Sequence, residues 1–370
     1  MSENTVRIIA VGDIFLGEHP FTLGHGVTSV VKERGGDFLF SEIKEHLKEG
    51  DIILGNLEGI ISPKEKNVTG VTSSIFWGEP ECALSMKSVG FNCLSLANNH
   101  TAQHGIDVLQ QTCQLLDMHN IKWTGFNRST YDLPKPALFE IRGIRVGILA
   151  YCETQQYKLD TPILPLINIE NIKRDIKLLK ENTDIIIISL HWGDEFIDYP
   201  SPGQVKIAHE IIDAGANLIL GHHSHTIQGI EQYKNGLIAY SLGSFVKDLW
   251  RKELRESIIL KCELSIGRVE KYDIQPILIN SRYQPGIYSG QSSTDFVKRL
   301  DLLSKEINLY NMNDFEYLQR DYIRTVKRLA RMDKFDIIKH YIRNIFLYNK
   351  KMFFENILLI LKRRLRKTNI

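Results

Sequence analysis

Histidine, carboxylate and carboxamide side chains recur directly after short apolar runs in this sequence. The densest group is GHHSHTIQG at 221–229, where His222, His223 and His225 place three imidazoles within four residues. Three imidazoles this close are hard to explain by structure alone, because each buried ring nitrogen needs a polar partner or solvent. Imidazole nitrogen is a common ligand of transition metals, so the segment predicts a metal site.

Other apolar runs end in residues of the same kind. Asp13 follows residues 6–11, Glu58 follows 52–54, Asn99 and His100 follow 91–97, and His191 follows 185–190. Considered singly, each has a structural interpretation, such as a turn, a helix cap or a core histidine. Considered together, these groups predict a pair of divalent metal ions, namely manganese, iron or zinc. Two such ions can hold an anionic oxygen for an in-line displacement.

The elements that would position these residues follow an α/β pattern. Almost continuous apolar runs alternate with helical segments between residues 5 and 245, which is typical of sheets covered on both faces. In such folds, ligands collect beyond the carboxyl ends of the strands. Apolar spacing predicts a helix over 106–116, and Pro202 predicts the start of another. Turns at 143, 234–236 and 267 predict three hairpins, over 139–150, 227–242 and 257–279.

The C-terminal part of the chain has a different pattern. Residues 281–294 are rich in Gly, Pro, Ser and Gln, and we interpret them as a linker or loop. Beyond them the apolar spacing is helical, with one stripe within 335–345 and a second within 354–365. We therefore predict a main α/β domain over 1–285 and an all-helical basic region over 286–370.

The composition is that of a folded globular protein. Of 370 residues, 43% are hydrophobic and 24% are charged, which excludes global disorder. The balance of 46 basic against 44 acidic residues also excludes a uniformly basic nucleic-acid coat protein. The charge is unevenly distributed, because residues 320–370 hold 15 basic and 4 acidic residues, whereas the rest holds 31 and 40. A basic tail on an acidic body predicts contact with an anionic surface.

Two interpretations of the basic tail stay open. Basic residues at 350–351 and 362–367 flank an apolar stripe that includes Phe353 and Phe354, as in helices that lie on an anionic membrane. The alternative is a helix docked on the body or on capsule-assembly proteins, with cations near its C-terminus. Nucleic acid is not an expected partner, because the tail lacks an aromatic platform for stacking bases.

Cysteine usage and hydropathy predict the compartment. The five cysteines are scattered without any CxxC pair, which favours a reducing environment. The sequence contains no run of 18 apolar residues, so we expect no transmembrane helix. These features predict a cytoplasmic protein, with peripheral attachment to the inner face of the membrane through the basic tail as an option.

Six ordered segments resemble the CapA family of bacterial capsule synthesis proteins, also called the poly-γ-glutamate biosynthesis protein family. They are GDIFLG (12–17), NLEG (56–59), LANNHTAQHG (96–105), HWGDEF (191–196), GHHSHTIQG (221–229) and SLGSFVKD (241–248). This family is related to calcineurin-like metallophosphoesterases. The resemblance covers residues 7–245 and implies a four-layer α/β sandwich of two mixed sheets flanked by helices, with a dinuclear metal site on one edge.

The resemblance also implies roles for individual residues. His100 resembles a histidine that stabilises or protonates the leaving group beside the ligand Asn99, and His222 resembles a supporting or substitute ligand. Two positions depart from the pattern of the related phosphoesterases, because Phe15 replaces a histidine and Asn56 replaces a bridging aspartate. Glu58 is then expected to take over the bridging role. The implied metal ligands are Asp13, Glu58, Asn99, His191, His223 and His225.

Further residues beside these motifs have two interpretations each. Trp192 either packs over the site, with a flat surface for substrate, or belongs to the core. Glu195 either holds a ligand amine or caps the following helix, and we favour the cap. The backbone amides around Ser244 either cradle an anion or form a plain turn. Asn98 is a turn residue or a contributor to the site beside Asn99.

The resemblance implies a metal-dependent hydrolase-like protein that acts in the biosynthesis or processing of a capsule or surface polymer, such as poly-γ-glutamate or a polysaccharide. Its expected partner is the anionic polymer or its precursor. One alternative is a non-catalytic metal- and polymer-binding component of a membrane-associated assembly machinery. Another is a metallopeptidase that uses the same site on glutamyl amide bonds.

Overall fold

The structure is a computed structural model that describes residues 5–63, 75–126, 134–153, 164–307, 315–348 and 354. Its strands, in chain order, are β1 (Val6–Ile14), β2 (Ile52–Leu57), β3 (Ile60–Ile61), β4 (Trp77–Gly78), β5 (Cys93–Ser95), β6 (Lys122–Thr124), β7 (Ala137–Ile141), β8 (Ile144–Cys152), β9 (Ile185–His191), β10 (Leu218–His222), β11 (Ile230–Tyr233), β12 (Gly236–Ala239), β13 (Ser244–Val246), β14 (Glu256–Ser265), β15 (Arg268–Ile279) and β16 (Pro285–Ile287). Its α-helices are α1 (Val27–Arg34), α2 (Asp37–Phe40), α3 (Lys44–Leu47), α4 (Cys82–Ser88), α5 (Ile106–Met118), α6 (Ile169–Lys180), α7 (Pro202–Ala214), α8 (Gln291–Ile307) and α9 (Phe315–Arg343).

Two mixed sheets form the centre of the molecule. The first sheet has the order β16-β15-β14-β1-β2-β5-β6, and β13 pairs with the end of β1. The second sheet has the order β11-β12-β10-β9-β8-β7. β1, β2, β5 and β6 run parallel, as do β8, β9, β10 and β12. The carboxyl ends of the parallel strands therefore point to one edge of each sheet.

Successive side chains of the central strands point to opposite faces of the sheet, and both faces are buried, which explains why the strand sequences are apolar throughout. In β9, Ile185 and Ile187 face the core between the two sheets, whereas Ile186 and Ile188 face a core shared with α6 and α7. Strand β1 is built in the same way, with one face toward the second sheet and the other toward the layer of α1–α5. Since successive side chains of a strand point to opposite faces, a sheet buried on both sides needs apolar residues at every position. The predicted four-layer sandwich is confirmed.

The predicted hairpins are confirmed as β7–β8, β11–β12 and β14–β15. The predicted helices are present as α5 and α7, and α7 begins at Pro202. The hydroxyl of Ser201 accepts a hydrogen bond from the Gln204 amide at 3.2 Å, and the Gln204 side chain accepts one from the Ser201 amide at 2.9 Å. This capping box satisfies two backbone donors that the first helical turn leaves without a partner.

The interpretation of residues 281–294 as a linker or loop boundary holds only for 281–284 and 288–290, which have no regular secondary structure. The segment contains β16, which pairs with β15, and the first residues of α8. Phe296 and Leu300 of α8 pack in the core between the sheets, so burial of apolar side chains outweighs the turn-forming composition of the segment. The predicted boundary at 285 falls within β16.

The C-terminal region is helical where it is described. α9 contacts α7, and its Tyr322 is buried. In the stripe predicted within 335–345, Ile338, Ile342 and Ile345 are exposed. The stripe predicted within 354–365 and the basic tail lie outside the described residues, except for Phe354. In the described parts of the chain, no helix combines the length and the apolarity that crossing a bilayer requires.

Candidate metal centre

The edge where the parallel strands end brings most of the predicted site residues together. Asp13 pairs in register with Asn56 across β1 and β2, and His191 pairs with His222 across β9 and β10. The two sheets meet here, because Nδ1 of His222 lies 3.5 Å from Oδ1 of Asp13. Residues that are far apart in the sequence therefore meet at this edge because each lies at or near the carboxyl end of a parallel strand.

Asp13 accepts hydrogen bonds from several residues at this edge. Its Oδ1 accepts a hydrogen bond from Nδ2 of Asn56 at 2.8 Å, and its Oδ2 accepts bonds from the backbone amide of His223 at 3.3 Å and from Nδ1 of His225 at 3.1 Å. Burial alone would raise the pKa of Asp13, but contacts with His222 and His225 outweigh it and hold that pKa well below its usual range. Asp13 is therefore an ionised carboxylate in a fully buried position.

Asn99, His191 and His223 form a second group beside Asp13. Oδ1 of Asn99 lies 3.0 Å from Nε2 of His191, and the rings of His191 and His223 are 4.6 Å apart. Burial is the main cause that holds the pKa of His191 well below its usual range, and burial also lowers the pKa of His223. Both imidazoles are therefore neutral, which is the protonation state that ligates a metal.

Unpaired polar atoms give a direct test of whether a metal fits here. Nδ1 of His223 and both ring nitrogens of His222 are among the buried polar atoms of the described residues that have no hydrogen bond. Buried polar atoms are normally satisfied, and the lone pair of a neutral imidazole nitrogen is one that a metal ion can satisfy. A carboxylate, a carboxamide and neutral imidazoles are a donor set that suits a divalent transition metal.

The backbone around the histidines is held in an uncommon conformation. His223 and His225 have φ values of 94° and 56°, in the left-handed region that residues other than glycine seldom adopt. Such residues cost about 1–3 kcal/mol each and concentrate at functional sites. Here the conformation turns His223 and His225 back toward Asp13.

His100 lies in the turn after β5, next to Asn99. Its ring stacks on Phe76 at a centroid distance of 3.6 Å, its Nδ1 lies 3.0 Å from Oε1 of Gln103, and its Nε2 lies 3.8 Å from Oε1 of Glu58. Burial and the charge of Lys247 hold the pKa of His100 well below its usual range. The neighbouring Asn98 shapes this turn, because its side chain donates to the Leu57 carbonyl and accepts from the His100 amide.

Glu58 is placed differently from the other ligand candidates. One oxygen atom from each of Asp13 and Glu58 and one nitrogen of His225 lie within 4.8 Å of one another. However, Oε2 of Glu58 accepts a hydrogen bond at 2.5 Å from Nζ of Lys247, which is itself fully buried. Sequence reasoning missed Lys247, although it directly follows the buried strand β13. It missed Phe76 because nothing in the sequence brings that loop to His100.

Three neighbouring residues take positions that decide between their interpretations. Trp192 is buried in the core between the second sheet and its helices, where its Nε1 donates to the Tyr240 carbonyl, so it belongs to the core. Glu195 does not cap α7, whose N-cap is Ser201; its carboxylate lies within 4.8 Å of ligand atoms of His223 and His225. Ser244 is not in a plain turn, because it lies in β13 opposite Asp13.

Gly12 permits the close approach that places Asp13. A Cβ atom at this position would lie 2.1 Å from the carbonyl oxygen of Gly243, and the Asp13 amide donates to that same oxygen at 3.0 Å. We expect Gly12→Ala to lower the free energy of unfolding by about 3 kcal/mol, the upper end of the usual cost of overpacking. Urea denaturation would measure it. Gly203→Ala is the matched control, because only the Ser201 hydroxyl lies nearby, at 3.7 Å; an equal loss there would contradict the prediction.

Comparison with known proteins identifies the family of this chain. The sequence pattern of the family described as "Bacterial capsule synthesis protein PGA_cap" matches residues 7–249, which include all the candidate ligands. The chain belongs to this family. The predicted family relationship is thereby confirmed.

Named relatives come from several bacteria. The chain is 28% identical to "Capsule biosynthesis protein CapA" of Bacillus anthracis, over 73% of this chain and 66% of that one. It is 27% identical to "PGA biosynthesis protein CapA" of Bacillus subtilis (strain 168), over 75% of this chain and 73% of that one. A "Probable polyglutamine synthesis accessory protein" of Mycobacterium tuberculosis is 27% identical over 50% of this chain and 55% of that one. The chain thus spans less than the full length of these family members.

Proposed function

We propose that this protein acts in the synthesis or processing of a bacterial surface polymer and that the cluster around Asp13 is a site of metal-dependent hydrolysis. The observation that carries this proposal is the convergence of Asp13, Asn99, His191 and His223 at one buried edge, with an ionised carboxylate and neutral imidazoles. The names of two relatives, a capsule biosynthesis protein and a PGA biosynthesis protein, favour poly-γ-glutamate, an anionic polymer, or its precursor as the substrate class.

Asn99, His191 and His223, with Asp13 beside them, would hold a divalent manganese, iron or zinc ion. A metal ion bound there would act as a Lewis acid on a phosphoryl or acyl group. The work of the chain is to orient these ligands: Asn56 donates to Asp13, and Asp13 in turn accepts from the backbone of His223. Partners of this kind fix the direction of a ligand and raise its affinity for the metal.

His100 is the proposed proton carrier. Nδ1 of His100 faces the side-chain amide oxygen Oε1 of Gln103, which can only accept a hydrogen bond, so Nδ1 carries the ring proton. Nε2 then carries the lone pair of the neutral ring. Nε2 would accept a proton from the attacking water and pass it to the leaving group. The stacked Phe76 ring fixes the plane of the imidazole for this transfer.

Turnover tests the enzymatic part of the proposal. Wild-type protein with added Mn²⁺ would be incubated with bis(p-nitrophenyl) phosphate and, separately, with poly-γ-glutamate, and released nitrophenolate and new amino ends would be measured. We expect one substrate to turn over and EDTA to stop the reaction. Hydrolysis of the phosphodiester supports phosphoester chemistry, whereas new amino ends support the glutamyl amide alternative. Metal-loaded protein that cleaves neither substrate would contradict hydrolysis of either bond.

A non-catalytic binding role is the second candidate. It is favoured by the engagement of both carboxylates with donors of the chain itself, Asp13 with Asn56 and Glu58 with Lys247. In this role the site binds metal and polymer for assembly, and the basic tail provides a contact with an anionic membrane or assembly proteins. Retention of labelled poly-γ-glutamate without shortening of the polymer is the result that distinguishes it from hydrolysis.

A further inference from the structure

Lys247 places an ammonium group among the candidate metal ligands. Its Nζ donates to Oε2 of Glu58 at 2.5 Å and lies 2.9 Å from Nε2 of His225. Glu58 and His225 are two of the three residues, with Asp13, whose ligand atoms lie within 4.8 Å of one another. A lysine side chain is normally exposed, yet this one has no exposed surface. The chain therefore encloses a cation of its own in this ligand set.

The protonation of His225 follows from its contact with Asp13. The ionised carboxylate of Asp13 can only accept a hydrogen bond, so Nδ1 of His225 carries a proton toward it at 3.1 Å. In the neutral ring Nε2 then carries the lone pair, and Nζ of Lys247 lies 2.9 Å from Nε2 and 3.3 Å from Nδ1. Nε2 and the Glu58 carboxylate are the atoms that a metal would need, and both contact Nζ instead.

The backbone holds Lys247 in this position from both sides. β13 pairs with the end of β1, and the Phe15 amide donates to the carbonyl of Val246 at 2.8 Å. On the other side, the buried carboxylate of Asp248 contacts Thr22 and the ring of His19. The ring of Phe15 lies 5.3 Å from Nζ, within the range of a cation–π contact. Phe15 thus accommodates an ammonium and offers no ligand atom to a metal.

We propose that Lys247 takes the place of one of the two metal ions, so that this protein holds one divalent ion and supplies the second positive charge itself. The single ion would be held by Asn99, His191 and His223. This proposal differs from the expectation of two ions and rests on the metal centre of the proposed function. A second divalent ion at Glu58 and His225 would have to displace the ammonium, because the two cations repel each other and need the same atoms.

Metal stoichiometry tests the proposal. Wild-type protein, Lys247→Met and Lys247→Gln would be dialysed against MnCl2, and the bound manganese would be counted by elemental analysis. Lys247→Gln keeps a hydrogen-bond donor for Glu58 without the positive charge, so it guards against misfolding of the methionine variant. Lys252→Met is the matched control, since it removes an equal charge from a lysine whose side chain is 52% exposed. Circular dichroism would show whether each variant is folded.

We expect about one manganese ion per chain in the wild type and the control, and about two in the folded Lys247 variants, the number of ions in a two-metal site. Two ions in the wild type would overturn the proposal and leave the proposed hydrolase intact. One ion in both the wild type and the folded Lys247 variants would also overturn it, because the ammonium would then not be the obstacle. No bound ion in any protein would overturn the metal centre and the proposal together.

Discussion

Replacement of His100 by alanine is expected to lower turnover about 10²–10⁴-fold, the usual contribution of a positioned acid–base group, and to leave the bound metal unchanged. The expectation follows from the position of His100, next to the ligand Asn99 but with its own ring held by Phe76 and Gln103. The substrate is whichever of bis(p-nitrophenyl) phosphate and poly-γ-glutamate the wild type cleaves. Initial rates and metal content would be measured on the same preparation.

The control for this prediction is His119→Ala, which removes an imidazole at the end of α5, away from the ligand set. Its rate is expected to equal that of the wild type. If His100→Ala loses metal and rate together, His100 supports the ligands and does not carry a proton. If His100→Ala keeps the full rate, the proposed proton transfer is contradicted.

Replacement of Asp13 or His223 by alanine is expected to abolish metal binding and turnover together. Loss of a residue that only hydrogen-bonds to a metal ligand lowers metal affinity about 10–100-fold. His223 is itself a proposed ligand and Asp13 lies beside the proposed ion, so we expect a larger loss. Asp13 has an additional effect, because Asn56, His223 and His225 all donate to its carboxylate. Elemental analysis after dialysis against Mn²⁺ would measure the metal.

Two controls separate this effect from unfolding. Asp213→Ala removes a carboxylate from the surface, where it pairs with Lys234, and is expected to keep its metal. Asp13→Asn keeps the volume of the buried side chain but loses the charge, so it is expected to fold and to bind metal poorly. Full turnover in metal-free Asp13→Ala protein would contradict a metal-dependent mechanism.

The sequence predicts the layers of the fold because their physical cause is local. A strand such as β9, buried on both faces, must be apolar throughout, and the periodicity of α5 and the first turn of α7 are equally visible. Strand ends are less visible, since the predicted run at 91–97 contains only the three-residue β5. The composition of residues 281–294 does not reveal β16 and the start of α8, because turn-forming residues also begin these two elements. Strand pairing and burial of apolar side chains decide the structure there.

The sequence predicts those site residues that lie at or near the carboxyl ends of parallel strands. Asp13, His191 and His222 come together because parallel strands end at the same edge, a rule that needs only the chain order. The sequence does not identify Lys247 as part of the cluster, and it favours a helix cap for Glu195, because the positions of both depend on side-chain contacts across two sheets. Such contacts depend on register and rotamer, which no local pattern of residues specifies.

The central claim is that the edge formed by Asn99, His191 and His223 binds a divalent metal ion, and anomalous diffraction tests it most directly. Crystals grown with MnCl2 would be measured on both sides of the manganese absorption edge. We predict an anomalous peak within bonding distance of these three side chains and none between Glu58 and His225, where Lys247 lies. An ordered cluster without an anomalous peak at Asn99, His191 and His223 would contradict the claim.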